Sequence, residues 1–402
     1  MTTLIKQSYT KGMLLLTIVL MDLLAGTEFD LFVPSFPELQ NHFYLTPAWV
    51  EALLSINFMG YCLSLFFVGS LADRYGRKPI ILMGLILFII GSVLCLWAIS
   101  YNIVFIGRFL QGIGIAAPAI LSFLIIADSY PLKKQQFFMA MLNGVMNTSV
   151  AIAPVIGSYV TLYFHWQGNF IALLILGWIT LVMTMLYIPH HTLSKHKDIF
   201  SFRRYIPLLQ SKPLMLLMAN IIFMFVPYWI FVGMSPLLYM KDLRVSLSHF
   251  GYYQGILALV FALGSVLFGL IMHRYAQKKI LYVSSKIYIV SLIIIAFITF
   301  TNSTNPLIIT LAFLPFIISQ IIPSNILVPL CLNFMPQVKG KVSAILQGSR
   351  LILAALSLQV AGYFYTGSFH NIGILISGFI VMVIITHFFI IKNQELITII
   401  DE

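Results

Sequence analysis

The chain has 402 residues, of which 60% are hydrophobic and only 9% charged, against about 25% charged in an ordinary globular protein. Apolar runs long enough to cross a hydrocarbon core of roughly 30 Å recur from end to end, so a soluble enzyme is excluded and a polytopic membrane protein is expected. The net charge of +11 does not mark a nucleic-acid surface, because Lys and Arg sit almost entirely in the short segments between apolar runs.

In chain order, the apolar windows and their Pro, Gly and charge punctuation predict six spans near 12–33, 48–70, 79–99, 103–127, 137–160 and 168–188. A second six follow near 214–238, 247–271, 280–300, 306–332, 341–364 and 371–391. The first span follows Lys6 and Lys11 as a secretory leader would, but its acids and the eleven spans behind it argue against cleavage. Residues 189–213 are the longest polar stretch, with Lys195, Lys197, Arg203, Arg204 and Lys212, and read as a cytoplasmic linker between a bundle of residues 1–188 and one of residues 214–402. With both termini cytoplasmic, 18 of the 23 basic residues fall inside and only Lys241 and Arg244 outside, which sets the expected orientation. Cys62, Cys95 and Cys331 lie in or at the ends of apolar runs and read as small buried hydrophobes.

The two halves carry a faint repeat. Gly69-Ser-Leu-Ala-Asp73-Arg74-Tyr75-Gly76-Arg77-Lys78 follows the second span. Two hundred residues later, Gly269-Leu-Ile-Met-His273-Arg274-Tyr275-Ala276-Gln277-Lys278-Lys279 follows the eighth. Internal symmetry of this kind fits a transporter that moves two bundles around a central site. Gly69 is read as permitting close helix approach, and Asp73 with Arg77 as a charge pair at neighbouring helix ends. The second copy lacks the acid and the second Arg.

The first copy resembles the loop signature of the major facilitator superfamily. That resemblance implies an all-α membrane protein with twelve transmembrane helices in two pseudo-symmetric six-helix bundles, in which Gly69, Asp73, Arg74, Gly76 and Arg77 form a conformational latch. Asp30-Leu31-Phe32-Val33-Pro34-Ser35-Phe36-Pro37 and Arg108-Phe109-Leu110-Gln111-Gly112 narrow it towards drug/proton antiporters of the Bcr/CflA type. Ala153-Pro154-Val155-Ile156-Gly157-Ser158 is similar to the antiporter motif, with Pro154 and Gly157 kept and Ala153 and Ser158 standing for glycines.

Ionisable groups in an apolar span are costly and therefore candidates for function. On a continuous helix Asp22 and Asp30 lie about 80° apart, whereas Glu28 lies about 200° from Asp30, so the three cannot line one cavity unless the helix unwinds near Gly26. Arg108 matches Glu28 and Asp30 in depth and is expected to pair with a carboxylate there. Asp22, deeper and without an obvious basic neighbour, is expected to be the proton carrier. Arg108 and Gln111 share a face, and Gly112 and Gly114 permit close packing beside them. Lys286 can snorkel to an interface and is read as structural.

The expected function is a proton-coupled exporter of drugs or other small amphipathic molecules, working by alternating access in a bacterial inner membrane. The alternative is a transporter, export or import, of a siderophore, amino acid or other natural metabolite. Candidate substrate residues are Asn57, Tyr61, Gln111, Asn143, Asn147, Tyr228, Trp229, Gln347 and Arg350. Asn57/Tyr61 and Asn143/Asn147 repeat at i, i+4, which puts each pair on one helix face. The partners expected are a small-molecule substrate, the proton and the bilayer, with the chain a monomer. No enzyme, cofactor or metal is expected: there is no Gly-rich phosphate loop with Lys, no zinc spacing and no nucleophile elbow, and His190, His191 and His196 read as a solvated loop.

Overall fold

The computed structural model describes residues 2–130, 132–189, 208, 210–271, 276–335, 339–393 and 396. All regular elements among them are helical. α1 spans Thr2–Thr27 and is followed by a 3-10 turn, Val33–Ser35, and the short α2, Phe36–His42. Then come α3 (Pro47–Tyr75), α4 (Arg77–Leu96), α5 (Tyr101–Ser129) and α6 (Leu132–Tyr187). The later helices are α7 (Lys212–Pro236), which runs on into a π turn at Leu237–Asp242, α8 (Leu247–Ile271) and α9 (Gln277–Thr301). α10 (Pro306–Asn333), α11 (Lys339–Tyr363) and α12 (Phe369–Lys392) complete the chain.

Among the described residues ten helical stretches are long and apolar enough to cross a membrane. One of them, Gly144–Tyr187, holds 44 residues, and its helix is broken at His165 (φ 59°, ψ −175°), where two expected spans meet without a conventional loop. α1 contributes the shorter apolar stretch Gly12–Thr27. With that break and that stretch the twelve expected spans are accounted for.

The first span differs from its sequence-based boundary. Instead of running to residue 33, α-helical geometry stops at Thr27, and residues 28–32 are turns and bends. Thr27 Oγ1 turns back onto the carbonyl of Leu23 at 2.9 Å, and two prolines, Pro34 and Pro37, follow at positions where neither can donate to a continuing helix. Helix interiors tolerate proline elsewhere, as at Pro118, Pro154, Pro227 and Pro323, because neighbouring groups in a packed bundle can take up the freed carbonyls.

The chain divides into two compact units, one of Met1–Phe43 with Leu53–Phe200, the other of Tyr44–Ala52 with Ser201–Glu402. The division expected from sequence differs in placing residues 44–52 in the first bundle. Most of the expected linker, including His190, His191 and His196, lies outside the described residues, as do His273, Arg274 and Tyr275 of the second repeat copy.

Within the first unit, packing depends on small residues, since lipid tails supply no hydrophobic drive between helices. A methyl group on Gly84 would lie 2.6 Å from the Gly114 carbonyl, and one on Gly91 would lie 2.5 Å from that of Gly107, so α4 and α5 approach backbone to backbone. The second unit uses polar stitches. Asn220 Nδ2 donates to the Val383 carbonyl at 3.1 Å, joining α7 to α12, and Ser284 Oγ donates to Ser319 O at 2.9 Å, joining α9 to α10. Side chains such as Val266, Leu267 and Leu270 on α8 stay exposed and apolar, as a lipid-facing surface requires.

Candidate functional site

The end of α1 carries the acids. Asp22, Glu28 and Asp30 are all buried, at 0%, 0% and 1% exposure. Because the helix ends at Thr27, the angular argument that separated Glu28 from the other two applies only as far as that residue. Glu28 meets Arg108 of α5: Arg108 Nη1 donates to Glu28 Oε1 at 2.7 Å with both side chains fully buried. The same Nη1 donates to Gln111 Oε1 at 2.7 Å, Gln111 Nε2 donates to Ser92 Oγ at 2.8 Å, and Ser92 donates to Phe88 O. The guanidinium also covers the Phe32 ring at 3.9 Å, a cation–π contact that suits Arg better than Lys.

Asn57 belongs to this network. Its Nδ2 donates to Glu28 Oε1 at 2.7 Å and to the Arg108 carbonyl at 3.0 Å. Tyr61, one turn on, meets the Phe29 ring edge-on at 5.8 Å. The i, i+4 pair therefore addresses two consecutive residues of the unwound segment. Asn57 and Gln111, expected to touch substrate, are placed as partners of Arg108 and Glu28.

The network is not closed on itself. Glu28 Oε2, both carboxylate oxygens of Asp22 and of Asp30, and Arg108 Nε and Nη2 have no hydrogen-bond partner among the described residues. Unpaired buried groups of this kind are expensive to keep in a purely structural role.

Two close approaches hold the site. A Cβ on Gly112 would collide with the Asn57 carbonyl, and one on Gly157 with the Leu31 carbonyl, fixing α5 against α3 and α6 against the segment after α1. Pro154 lies three residues before Gly157, and its carbonyl accepts from Ser158 Oγ at 2.8 Å. Sequence reading missed the knot that fastens the Pro-rich segment. Asn169 Nδ2 donates to Ser35 Oγ and Thr161 Oγ1, each at 2.7 Å, and the two hydroxyls lie 3.0 Å apart, all buried. A buried Asn within an apolar span was the available signal.

At the other end of α3, Arg77 bridges two acids, donating from Nη1 to Asp73 at 2.7 Å and from Nε to Asp128 at 3.2 Å. Asp128, in the last turn of α5, does not stand out from sequence. Gly76 adopts φ 92°, a left-handed value that other residues adopt only with strain, and so turns the chain from α3 into α4. Arg74 lies over the exposed Tyr75 ring at 5.1 Å. Gly69 was expected to permit helix contact; instead a methyl group added there would have no atom within 4 Å among the described residues.

In the second unit, Arg350 of α11 covers the Phe225 ring of α7 at 3.9 Å and donates from Nη1 to Gln347 Oε1 at 2.9 Å. Trp229 meets Phe225 at 5.7 Å and Tyr228 at 5.9 Å between ring centroids. Arg350, Gln347, Tyr228 and Trp229 therefore form one aromatic and cationic group. The side chains of Asn143 and Asn147 lie outside the described residues. Lys286 is exposed beside Tyr282 on α9. Cys62, Cys95 and Cys331 are buried and form no disulfide among the described residues.

A multi-span helical bundle with a buried acid–arginine network defines the class, an integral membrane protein with ionisable groups buried among its apolar helices. The Major Facilitator Superfamily profile matches residues 18–358, and the chain belongs to that family of secondary transporters, which are not enzymes. Similar curated proteins include Multidrug resistance protein MdtL of Shewanella sp. (strain ANA-3), 31% identical over 173 residues, 43% of each chain. MdtL of Escherichia coli (strain K12 / DH10B) is 32% identical over 170 residues, 42% of this chain and 43% of that one. The matched segment thus spans less than half the length of these relatives. Among solved structures, a D-xylose-proton symporter superimposes with a TM-score of 0.72 at 13% identity, covering 94% of this chain and 96% of its own. A bacterial homolog of the human lysosomal transporter Spinster gives 0.69 at 15% identity, covering 98% of both. At such identities these two likenesses establish the fold.

Proposed function

We propose that the protein is a proton-coupled exporter of drugs or other small amphipathic molecules, working by alternating access in a bacterial inner membrane with both termini cytoplasmic. The reading is carried by the acid cluster at the end of α1. Glu28 is committed to Arg108 and Asn57, while Asp22 and Asp30 are buried without hydrogen-bond partners among the described residues. Asp22, inside α1, is the proton carrier: it takes a proton from the outer side and yields it inward, and substrate from the cytoplasm competes with it directly or through the conformational equilibrium. Each tenfold proton gradient supplies about 1.4 kcal/mol and each 100 mV about 2.3 kcal/mol per charge. Resemblance to proteins named for multidrug resistance supports the cargo class.

Transport into proteoliposomes under an imposed pH gradient, with lipophilic cations screened against metabolites and siderophores, tests this reading. Asp22→Asn is expected to abolish gradient-driven accumulation while substrate still binds; unchanged uphill transport in that variant would reject the role. A second reading, a carrier of a siderophore, amino acid or other natural metabolite, is favoured by Arg350, whose guanidinium is displayed on Phe225 beside Gln347 and suits an anionic or zwitterionic cargo. Gradient-dependent movement of metabolites alone selects it.

We assign the Asp73–Arg77–Asp128 group to a latch between conformations. Its acids are 58% and 39% exposed, so the pairs add about 1 kcal/mol or less to stability. Asp128→Asn is therefore expected to leave thermal stability nearly unchanged and to lower the transport rate several-fold, measured by unfolding and by initial rates on one preparation.

A further inference from the structure

Glu51 lies near the start of α3, fully buried, and neither of its carboxylate oxygens has a hydrogen-bond partner among the described residues. It belongs to the second unit through the segment Tyr44–Ala52, whereas α3 from Leu53 onward belongs to the first. Its surroundings are shaped around it. A methyl group on Gly233 of α7 would lie 2.5 Å from Glu51 Oε2 and 2.5 Å from Leu358 of α11. One on Gly362 of α11 would lie 2.8 Å from the Ala48 backbone and 3.2 Å from Glu51 Cγ. Two glycines thus leave a slot into which the turn carrying Glu51 fits.

Among the described residues no cation answers the carboxyl in that slot. The ionisable group that feels the charge of Glu51 is Tyr365, just past α11, which also meets Asp242, at the end of the π turn after α7. Tyr365 donates its hydroxyl to Asp242. Arg350, eight residues before Leu358 on α11, is turned to Phe225 and Gln347. An ionised Glu51 would lack a donor there, a cost that the neutral acid avoids.

We propose that Glu51 is a second proton-binding site, separate from Asp22, Glu28 and Asp30, which holds a proton while the opening turn of α3 is seated between Gly233 and Gly362 and releases it when that turn leaves. The proposal rests on the alternating-access reading, because it needs a state in which the turn is withdrawn. A proton bound only in the seated state favours seating at low pH. The seated-to-withdrawn ratio falls by up to about tenfold per pH unit as pH rises past the seated-state titration.

Spin labels on the exposed positions Trp49 and Tyr363 report seating as a short distance by double electron–electron resonance on the full chain. The short-distance population is expected to fall as pH rises in the otherwise unaltered protein. Glu51→Gln should keep it high at every pH, and Glu51→Asp should restore the fall. A pH-independent distribution in the parent, or an unaltered pH dependence in Glu51→Gln, would overturn the proposal. Asp22→Asn separates the two readings: it should lose proton-driven transport yet keep the pH-dependent distance. Normal coupled transport in that variant defeats the role of Asp22 and leaves Glu51 standing.

Discussion

Arg108→Ala is expected to be the most damaging single substitution, destabilising the first unit by about 3–5 kcal/mol because it leaves Glu28 buried and uncompensated. Transport should be undetectable. Arg108 faces Glu28, Gln111 and the Phe32 ring at once, so its loss also frees Gln111 and strips the cation from the aromatic face. Arg108→Lys keeps the charge but cannot keep both 2.7 Å bonds together with the planar stacking, and should restore folding more than transport. Combining Arg108→Ala with Glu28→Gln removes both charges and is expected to recover much of the lost stability but no transport. Thermal unfolding and uptake assays on the same membranes check the set; a double variant no more stable than Arg108→Ala would show that the buried charge was not the cause.

Gly157→Val is the second large effect. The clash is with the backbone carbonyl of Leu31, which cannot rotate away as a side chain can, so relief requires moving the segment after α1 away from α6. That segment is also tied by Ser35, Thr161 and Asn169, and the displacement would break those bonds as well as the packing. A cost of at least about 1–3 kcal/mol is expected for overpacking, with the buried hydrogen bonds adding to it. Gly157→Ala should show the same sign and a smaller effect. By contrast, Gly69→Ala, with no atom within 4 Å among the described residues, should be nearly silent, and the pair of variants measured by thermal unfolding checks whether close approach decides the outcome.

These contrasts mark what the residue pattern reveals and what it hides. Hydropathy reads the spans because a bilayer demands uninterrupted apolar helices, and it places α8 and α9 within a few residues. It does not read the end of α1. Phe29, Leu31, Phe32 and Val33 are as apolar as the helix before them, and only the prolines and Thr27 hint that helical geometry stops. Glu28 therefore lies beyond the helix whose regular steps would set its angle, and helical geometry gives way close to Gly26, where unwinding would let the acids share a cavity. Asn57 and Gln111 are legible as polar residues in apolar spans. Of their partners, Arg108 is legible one turn before Gln111, whereas Ser92 and the meeting of Asn57 with Glu28 are not, because a side chain one or two helices away in sequence leaves no local trace. Glu51 escapes notice beside Asp22, Glu28 and Asp30, although an acid near the start of an apolar span carries the same warning. Ser35 and Thr161 are too ordinary in apolar helices to stand out without the Asn169 that joins them.

At residue 57 the labour is divided between two parts of one amino acid. Its carbonyl forms the wall against which Gly112 rests, while its amide is left to address Glu28 and the Arg108 carbonyl. Shape and charge pairing are consequently separable there: exchanging the side chain changes what the Glu28 carboxylate meets, while the main chain goes on setting the distance between α3 and α5.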